Sequence, residues 1–324
     1  MTALAPGRPG AVTRVVVSAP GGIGNLGPGL DVLGCAVAGL RDEVTAEWSD
    51  APGVTLLESG HPDLPTDPRR HTSAIAAAAV LDVARRGGAT PAAPGIALRV
   101  RKLLPLSGGQ GGSAASAVAG AVAANALLGA PLDRAALLEC CLLAEEKVAG
   151  RHLDNIAPSL LGGIVLVRSV DPIDVVPIPV PDGLRIVLAH PDQRLRTSDA
   201  RGVLPASLPR AVALHQMAQV AAIVAACHAN DLALLGRSID DRIAEPARAP
   251  LLPGFSAAKA AAMTAGALGA SISGAGPTAF ALTSGDEVAE RVAVAMRDAY
   301  ERAGIVCSVR VTHVDPNGAV VKTA

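Results

Sequence analysis

Aromatic side chains are almost absent from this chain of 324 residues, which has one Trp, one Tyr and two Phe. Proteins that bind single-stranded nucleic acid without sequence preference stack bases on aromatic platforms, and this sequence cannot build such a surface. The chain also lacks an excess of charge of either sign, because its formal net charge is −1. No global field therefore attracts nucleic acid or an acidic membrane, and we expect neither partner.

A disulfide framework and long apolar runs are also missing. The five cysteines form no C-x-x-C pair, and the adjacent Cys140 and Cys141 cannot easily bridge, which indicates a reducing compartment. Residues 1–10 have no apolar core typical of a signal peptide, and the apolar stretch at residues 114–126 is too short to span a bilayer. The sequence predicts a soluble cytoplasmic protein, with histidines that are structural or on the surface apart from His152.

Glycine, in contrast, is abundant and clustered. An alternating apolar run at residues 96–104 predicts a strand, a glycine-dense turn follows at residues 107–112, and Ser113 opens a run of small residues that predicts a buried helix. Backbone N–H groups at a glycine turn and a helix N-terminus attract anions. No Gly-Lys-Ser/Thr follows, so the turn is not a Walker A loop, and a simple packing turn is the alternative.

A second glycine cluster follows the valine-rich strand predicted at residues 12–19. Residues 20–31 contain five glycines and two prolines, which predicts an irregular loop. Two polar side chains, Asn25 and Asp31, stand out in it.

A helix beginning after Asp133, a favourable N-cap, ends with Glu145 and Glu146 in its last turn. Acidic groups oppose the dipole at a helix C-terminus, so they indicate a nearby cation, although solvated glutamates are the alternative. Residues 150–163 follow with His152, Asp154 and Asn155 among apolar neighbours. This predicts a site loop, for which a local Asx turn is the competing explanation.

The Pro- and Asp-rich stretch at residues 170–183 is the best boundary between two domains, which we predict at residues 1–169 and 170–324. The second half carries another glycine turn at residues 274–278. The order helix, strand, turn, strand, helix, strand around it predicts an α+β layer with an antiparallel sheet.

Three stretches in this order resemble the GHMP small-molecule kinases: Asn25–Asp31, Ser107–Ser113 and Ser271–Thr278. Further segments resemble the homoserine kinase subfamily: residues 25–34, 152–163, 197–201 with Leu204-Pro205, and 245–248 with Leu252-Pro253. Together these stretches cover nearly the whole chain.

The resemblance implies a two-domain α+β fold, with an N-terminal domain like ribosomal S5 domain 2 and a ferredoxin-like C-terminal domain. It implies a phosphotransferase with an alcohol group as acceptor, with ATP and Mg²⁺ as cofactors. The substrate would be L-homoserine and the product O-phospho-L-homoserine, in threonine biosynthesis. A homodimer is possible. Two alternatives remain open: a GHMP kinase for another small hydroxy amino acid or alcohol, and a catalytically inactive ligand-binding relative.

The resemblance also implies roles for particular residues. The ATP phosphates would be held by Pro105, Leu106, Ser107, Gly108, Gly109, Gln110, Gly111, Gly112, Ser113 and Ala114. Ser113 and Glu145, rather than Glu146, would hold the metal, and these two with Asn155 form the catalytic set. The substrate would be held by Asn25, Asp31, His152, Asn155, Thr197, Arg201, Arg248 and Gly274. Among these, Asp31 would face the ammonium group and the two arginines the carboxylate, since a guanidinium gives bidentate geometry. Gly274–Gly276 would supply backbone donors.

The sequence departs from the family pattern in the phosphate loop. The family usually has Gly-Leu-Gly-Ser-Ser-Ala, whereas this chain has Gln110 in place of the leucine and Gly112 in place of the first serine. Residues 21–24 lack two hydroxyls that the family usually carries, Leu30 replaces a phenylalanine, and His71 stands where a small amide is expected.

Overall fold

A computed structural model describes residues 12–148 and 150–323, so the prediction about residues 1–10 lies outside the described part. The strands in chain order are β1 (Arg14–Gly24), β2 (Leu33–Ser49), β3 (Gly53–Glu58), β4 (Gly95–Arg101), β5 (Ile164–Val170), β6 (Ile173–Ile178), β7 (Leu184–Pro191), β8 (Gly269–Ile272), β9 (Ala279–Ser284), β10 (Cys307–Thr312) and β11 (Val320–Thr323).

The helices are α1 (Thr72–Arg86), α2 (Gly112–Leu127), α3 (Arg134–Glu146), α4 (Ile156–Leu161), α5 (Thr197–Gly202), α6 (Arg210–Ala229), α7 (Leu232–Arg237), α8 (Ala244–Arg248), α9 (Phe255–Thr264) and α10 (Asp286–Arg302). The predicted N-cap of α3 is confirmed, because the Asp133 side chain accepts a hydrogen bond from the N–H of Ala136 at 2.9 Å.

The first sheet has seven strands, with β11-β1-β2-β4-β3 in one row and the β5–β6 hairpin attached to β2. Strand β1 continues through Gly24, so the prediction that residues 20–31 are irregular from their start was wrong. The glycines permit this because Gly22–Gly24 pair with Gly34–Ala36 of β2, and a Cβ at Gly22 would lie 2.7 Å from the carbonyl oxygen of Cys35. Strand β2 is a single strand of 17 residues.

The second sheet has the strand order β10-β7-β9-β8 with every pair antiparallel. The first strand of this half, β7, lies between the third and the fourth, and α10 packs on β7, β9 and β10. This is the β-α-β-β-α-β arrangement of a ferredoxin-like domain, with α5–α9 all inserted between β7 and β8. The predicted α+β class is confirmed.

The predicted boundary at residue 169/170 falls inside the β5–β6 hairpin. Residues 173–178 pair with β5, and β11 returns to pair with β1, so both segments belong to the first sheet. We propose that the domain boundary lies at residues 179–183, and that the end of the chain belongs to the first domain.

The scarcity of aromatic residues has a structural counterpart in α2. This helix is buried on nearly every side between α1, α3 and the first sheet. Gly120 allows the backbone of Ser73 in α1 to approach so closely that a Cβ would overlap its carbonyl oxygen. Small side chains therefore let backbones pack closely here, where bulky rings would separate the helices.

Helix α6 is long and apolar enough, by length and composition alone, to cross a membrane, and 22% of its tested window is buried. The prediction based on residues 114–126 did not consider this segment. A single helix of this kind is weak evidence, so the expectation of no membrane partner stays a prediction.

Candidate functional site

A cavity of about 410 Å³ lies where the two sheets meet. Every residue for which the sequence predicted a site role lines this cavity, with the exception of Gln110. The structure thus brings together residues from positions 25 to 276, although it does not by itself assign their roles.

Backbone hydrogen bonds join the three glycine stretches. The N–H of Gly22 donates to the carbonyl of Gln110 at 3.0 Å, and the N–H of Gly274 donates to that of Gly24 at 3.1 Å. Gly109 fits only because it has no side chain, since a Cβ there would lie 2.6 Å from the carbonyl oxygen of Gly276. The three stretches therefore form one continuous wall of the cavity.

The N-terminus of α2 opens into this cavity. Its N-cap residue, Gly111, has a φ of 64°, and no side chain caps the first turn. The first N–H groups of a helix have no partner within the helix, and the helix dipole favours negative charge there. An uncapped 16-residue helix behind a glycine turn is suited to phosphate.

The hydroxyl of Ser113 donates to Oε2 of Glu145 at 3.1 Å. Glu145 is buried, and burial raises the pKa of its carboxyl above the ordinary value of 4.5, although the charge of His152 and the Ser113 hydrogen bond oppose the rise. Glu146, in contrast, is half exposed and pairs with Arg151 at 3.3 Å. Two adjacent oxygens beside an anion site suit a hard divalent cation.

Asp154 lies in the predicted site loop at residues 150–163 and is a buried carboxylate, to which the sequence assigned no role. Its Oδ2 accepts the N–H of Asn25 at 3.1 Å and the Nδ2 of Asn155 at 3.2 Å, while its Oδ1 lies 3.2 Å from Nδ1 of His152. Burial opposes protonation of His152, but Asp154 and Glu145 outweigh it, so the pKa of His152 lies above its ordinary value of 6.5. Its position in the segment His-Leu-Asp-Asn was the available signal.

The side-chain Oδ1 of Asn155 is buried and accepts no hydrogen bond from the residues that the structure describes. It lies beside the phosphate loop, because a Cβ at Gly111 would be 2.8 Å from it. Asn155 thus presents an acceptor between the anion site and the remaining polar residues.

Asp31 and Arg201 form a bidentate ion pair, with N–O distances of 2.8 and 3.2 Å. The sequence predicts that they hold opposite charges of one ligand, whereas in the structure they are paired with each other. Both side chains are about one third exposed in the cavity.

Arg248 is buried against the same wall. Its Nε donates to the carbonyl of Ala200 at 3.1 Å, and its Nη1 donates to that of Gly274 at 2.8 Å. Gly274 therefore contributes an acceptor, and its N–H is used by Gly24, contrary to the predicted backbone donor. The N–H of Gly276 is likewise used, by the carbonyl of Ser273. Thr197 lies at the start of α5 and lines the cavity.

Comparisons with known proteins agree with this geometry. Residues 73–163 match the GHMP kinases N terminal domain, and residues 223–302 match the GHMP kinases C terminal family. The chain is 42% identical to a homoserine kinase of Chlorobium phaeobacteroides over 285 residues, covering 86% of this chain and 89% of that protein. It is 40% identical to a homoserine kinase of Arabidopsis thaliana over 299 residues, covering 90% of this chain and 80% of that one.

A crystal structure of homoserine kinase from Cytophaga hutchinsonii superposes with a TM-score of 0.90 at 39% identity, covering 98% of this chain and 100% of the other. The chain belongs to the homoserine kinase family of the GHMP kinases. GHMP kinases use ATP as the phosphate donor, so the anion site in the cavity is the expected place for it.

The departure at Gly112 from the usual GHMP kinase loop has a structural reason. Lys102, which is buried, pairs with the fully buried Asp42 and donates to the carbonyl of Gly112 at 2.6 Å and to the hydroxyl of Ser116 at 3.1 Å. A Cβ at Gly112 would lie 2.9 Å from Nζ of Lys102. Glycine therefore leaves the space in which this lysine ties the start of α2 to β2.

Asp42 also accepts hydrogen bonds from the N–H groups of Leu103 and Leu104, each at 3.0 Å. We call Lys102 and Asp42, with these contacts, the Lys102–Asp42 brace. Burial lowers the pKa of Lys102, and Asp42 opposes that shift. No sequence signal predicts the Lys102–Asp42 pair, because the two residues are 60 positions apart and belong to no motif.

We predict that Gly112→Ser, which restores the usual family residue, will lower the free energy of unfolding by about 1–2 kcal/mol, because the added atoms crowd the buried lysine. Gly202→Ala is the matched control, since Gly202 is also helical but has open space around it; it should be neutral or stabilising by about 0.5–1 kcal/mol. Urea unfolding curves measure both. Equal effects in the two variants would contradict the crowding account.

Proposed function

We propose that this chain transfers the γ-phosphoryl group of ATP to the side-chain hydroxyl of L-homoserine, giving O-phospho-L-homoserine for threonine biosynthesis. The observation that carries the proposal is the arrangement of charged groups along one cavity. An uncapped helix N-terminus for phosphate lies at one side, and an acid and two arginines lie at the other, with Asn155 between them. The names of its relatives agree with this substrate.

The acid and the arginines fit an α-amino acid. Its ammonium and carboxylate groups are attached to the same carbon, so they need an acceptor and a donor side by side, as Asp31 and Arg201 are. Binding would exchange this ion pair for one contact to each charge of the substrate, with Arg248 as a second donor to the carboxylate. A sugar or another uncharged alcohol would gain nothing from these three charges.

Mg²⁺ fits the oxygen pair of Ser113 and Glu145. A buried carboxylate whose pKa is raised by burial is stabilised by a cation, and Mg²⁺ prefers one or two such ligands together with phosphate oxygens. Bound there, it would neutralise charge on the phosphoryl groups. Glu146 fits this role less well, because it is half exposed and pairs with Arg151.

The proposed mechanism uses no strong general base. Asn155 cannot accept a full proton, but its free Oδ1 can orient the attacking hydroxyl toward the phosphate loop. Both oxygens of Asp154 are occupied by hydrogen bonds, so this carboxylate positions Asn155, Asn25 and His152. Phosphoryl transfer passes through a loose transition state, so positioning and charge neutralisation suffice, and the hydroxyl proton leaves late, to an oxygen of the transferred phosphoryl group. A kcat that fell at low pH through one ionisation, and no longer did so in Asp154→Asn, would contradict this assignment.

The remaining expectations stay proposals. We propose that the enzyme acts in the cytoplasm, without nucleic acid or membrane, and that a homodimer is possible. These rest on composition and on the family resemblance.

A coupled ADP-release assay with ATP and Mg²⁺ tests the substrate. We predict turnover with L-homoserine and much less with threonine or mevalonate. Arg201→Ala and Arg248→Lys should each raise the KM for homoserine about 10–100-fold, because a charged hydrogen-bond donor is lost or displaced. Arg196→Ala is the control and should leave this KM unchanged, since Arg196 is exposed and pairs with Asp199 at 2.9 Å. ATP binding without turnover on any alcohol would instead favour the inactive relative.

We predict that Glu145→Gln lowers kcat by about a hundredfold or more at millimolar Mg²⁺, because a metal ligand is worth several kcal/mol of transition-state stabilisation. In EDTA the same variant should be at least as stable as the wild type at neutral pH, since it removes a buried charge. Glu146→Gln, the adjacent exposed glutamate, should change neither quantity. Loss of both activity and EDTA stability in Glu145→Gln would indicate a structural role.

A further inference from the structure

We propose that Gln110 is a positioning residue for ATP. Its side chain forms hydrogen bonds to the second domain and so holds the phosphate loop in place. The GHMP kinase pattern that residues 109–114 resemble has leucine at this place, and leucine cannot make the same contacts. The inference rests on the proposed function for its ligand, because it concerns the loop that would hold the ATP phosphates.

The side chain of Gln110 is buried and is directed away from the cavity. Its Nε2 donates to the hydroxyl of Thr278 at 3.2 Å, and its Oε1 accepts from Nη2 of Arg310 at 3.3 Å. Thr278 lies just before β9 and Arg310 lies in β10, so one amide group contacts two parts of the second domain. A leucine here would remove both hydrogen bonds.

The hydroxyl of Thr278 is fully used in this arrangement. It donates to the carbonyl of Gly108 at 2.5 Å and accepts from Gln110. Nδ1 of His190 lies 2.9 Å away and must donate, because the hydroxyl has only one proton. Thr278 therefore connects Gln110 directly to the backbone of the phosphate loop.

Arg310 gives the other contact a specific requirement. It lies between the domains, with Nη1 donating to the carbonyl of Ala38 at 3.4 Å. Arg310 is partly buried, and burial lowers the pKa of its guanidinium. A neutral amide oxygen that accepts from Nη2 compensates part of that lost solvation.

Hydrogen bonds to three carbonyl groups of the phosphate loop set the direction of its N–H groups. The carbonyls of Gly108, Gly109 and Gln110 all accept hydrogen bonds from the protein, from Thr278, Ser273 and Gly22 respectively. In a trans peptide the C=O and the following N–H point in opposite directions. The N–H groups of Gly109, Gln110 and Gly111 consequently point away from these partners, and Gln110 helps to hold them in that direction for the phosphates.

Gln110→Met tests the proposal, because methionine keeps the length and neutral charge of the side chain but cannot hydrogen-bond in the same way. We predict that it raises the Kd for Mg·ATP about tenfold, which corresponds to one well-placed hydrogen bond. The KM for homoserine should change less than about twofold on this account, as should kcat at saturating ATP. Isothermal titration calorimetry without an acceptor gives the Kd, so it remains informative even if homoserine proves not to be the substrate.

Asn125→Leu is the matched control for lost stability. Asn125 is also a buried amide with two hydrogen bonds, to the N–H and carbonyl of Leu132, each at 3.0 Å, at the far end of α2. Both variants should lower the melting temperature, but only Gln110→Met should weaken ATP binding. Thr278→Val removes the same contact from the side of the second domain. In the double variant with Gln110→Met, the loss of ATP affinity should be smaller than the sum of the two single losses. An unchanged Kd in folded Gln110→Met, or an equal loss in Asn125→Leu, would overturn the proposal.

Discussion

The structure depends on backbone hydrogen bonds between three glycine-rich segments that are far apart in the chain. The contacts from Gly22 to Gln110 and from Gly274 to Gly24 bring strand β1, the phosphate loop and the turn before β9 to within hydrogen-bond distance of one another. Side chains would prevent this approach, since a Cβ at Gly21 would lie 2.6 Å from the carbonyl oxygen of Gln110, and a Cβ at Gly109 would lie 2.6 Å from that of Gly276. The cavity exists because backbones from both sheets can touch, so the domain arrangement and the site have the same cause.

Charge is distributed along this cavity in a way that fits the proposed chemistry. The N-terminus of α2 supplies partial positive charge and N–H donors, and the Lys102–Asp42 brace fixes its position. Glu145 supplies a buried negative charge next to Ser113, and the Asp31–Arg201 pair supplies both signs at the other side. A nucleotide, a hard cation and a zwitterion each have a complementary surface, and Asn155 lies where they would meet.

The sequence predicted the elements that have local signals. The N-cap Asp133, the helix behind the glycine turn and the antiparallel second sheet all follow from periodicity, capping and turn residues. The resemblance to the GHMP kinases predicted the site residues, which composition alone could not predict. One prediction was wrong where long-range pairing overrides a local signal, because β1 continues through glycines that pair with β2. The Pro- and Asp-rich stretch includes β6, which pairs with β5, and we therefore propose a domain boundary after it. Lys102 and Asp42 were missed, and Asp154 was placed in the site loop without a role, because the roles of all three depend on partners from other elements.

Hydrogen–deuterium exchange with and without Mg·ATP tests most directly whether the three segments act as one site. If they do, ATP should slow exchange in peptides covering residues 20–25, 105–114 and 273–278 together, since the backbone bonds link both sheets to the bound phosphates. Protection confined to residues 105–114, with the other two peptides exchanging as in the free protein, would contradict the account.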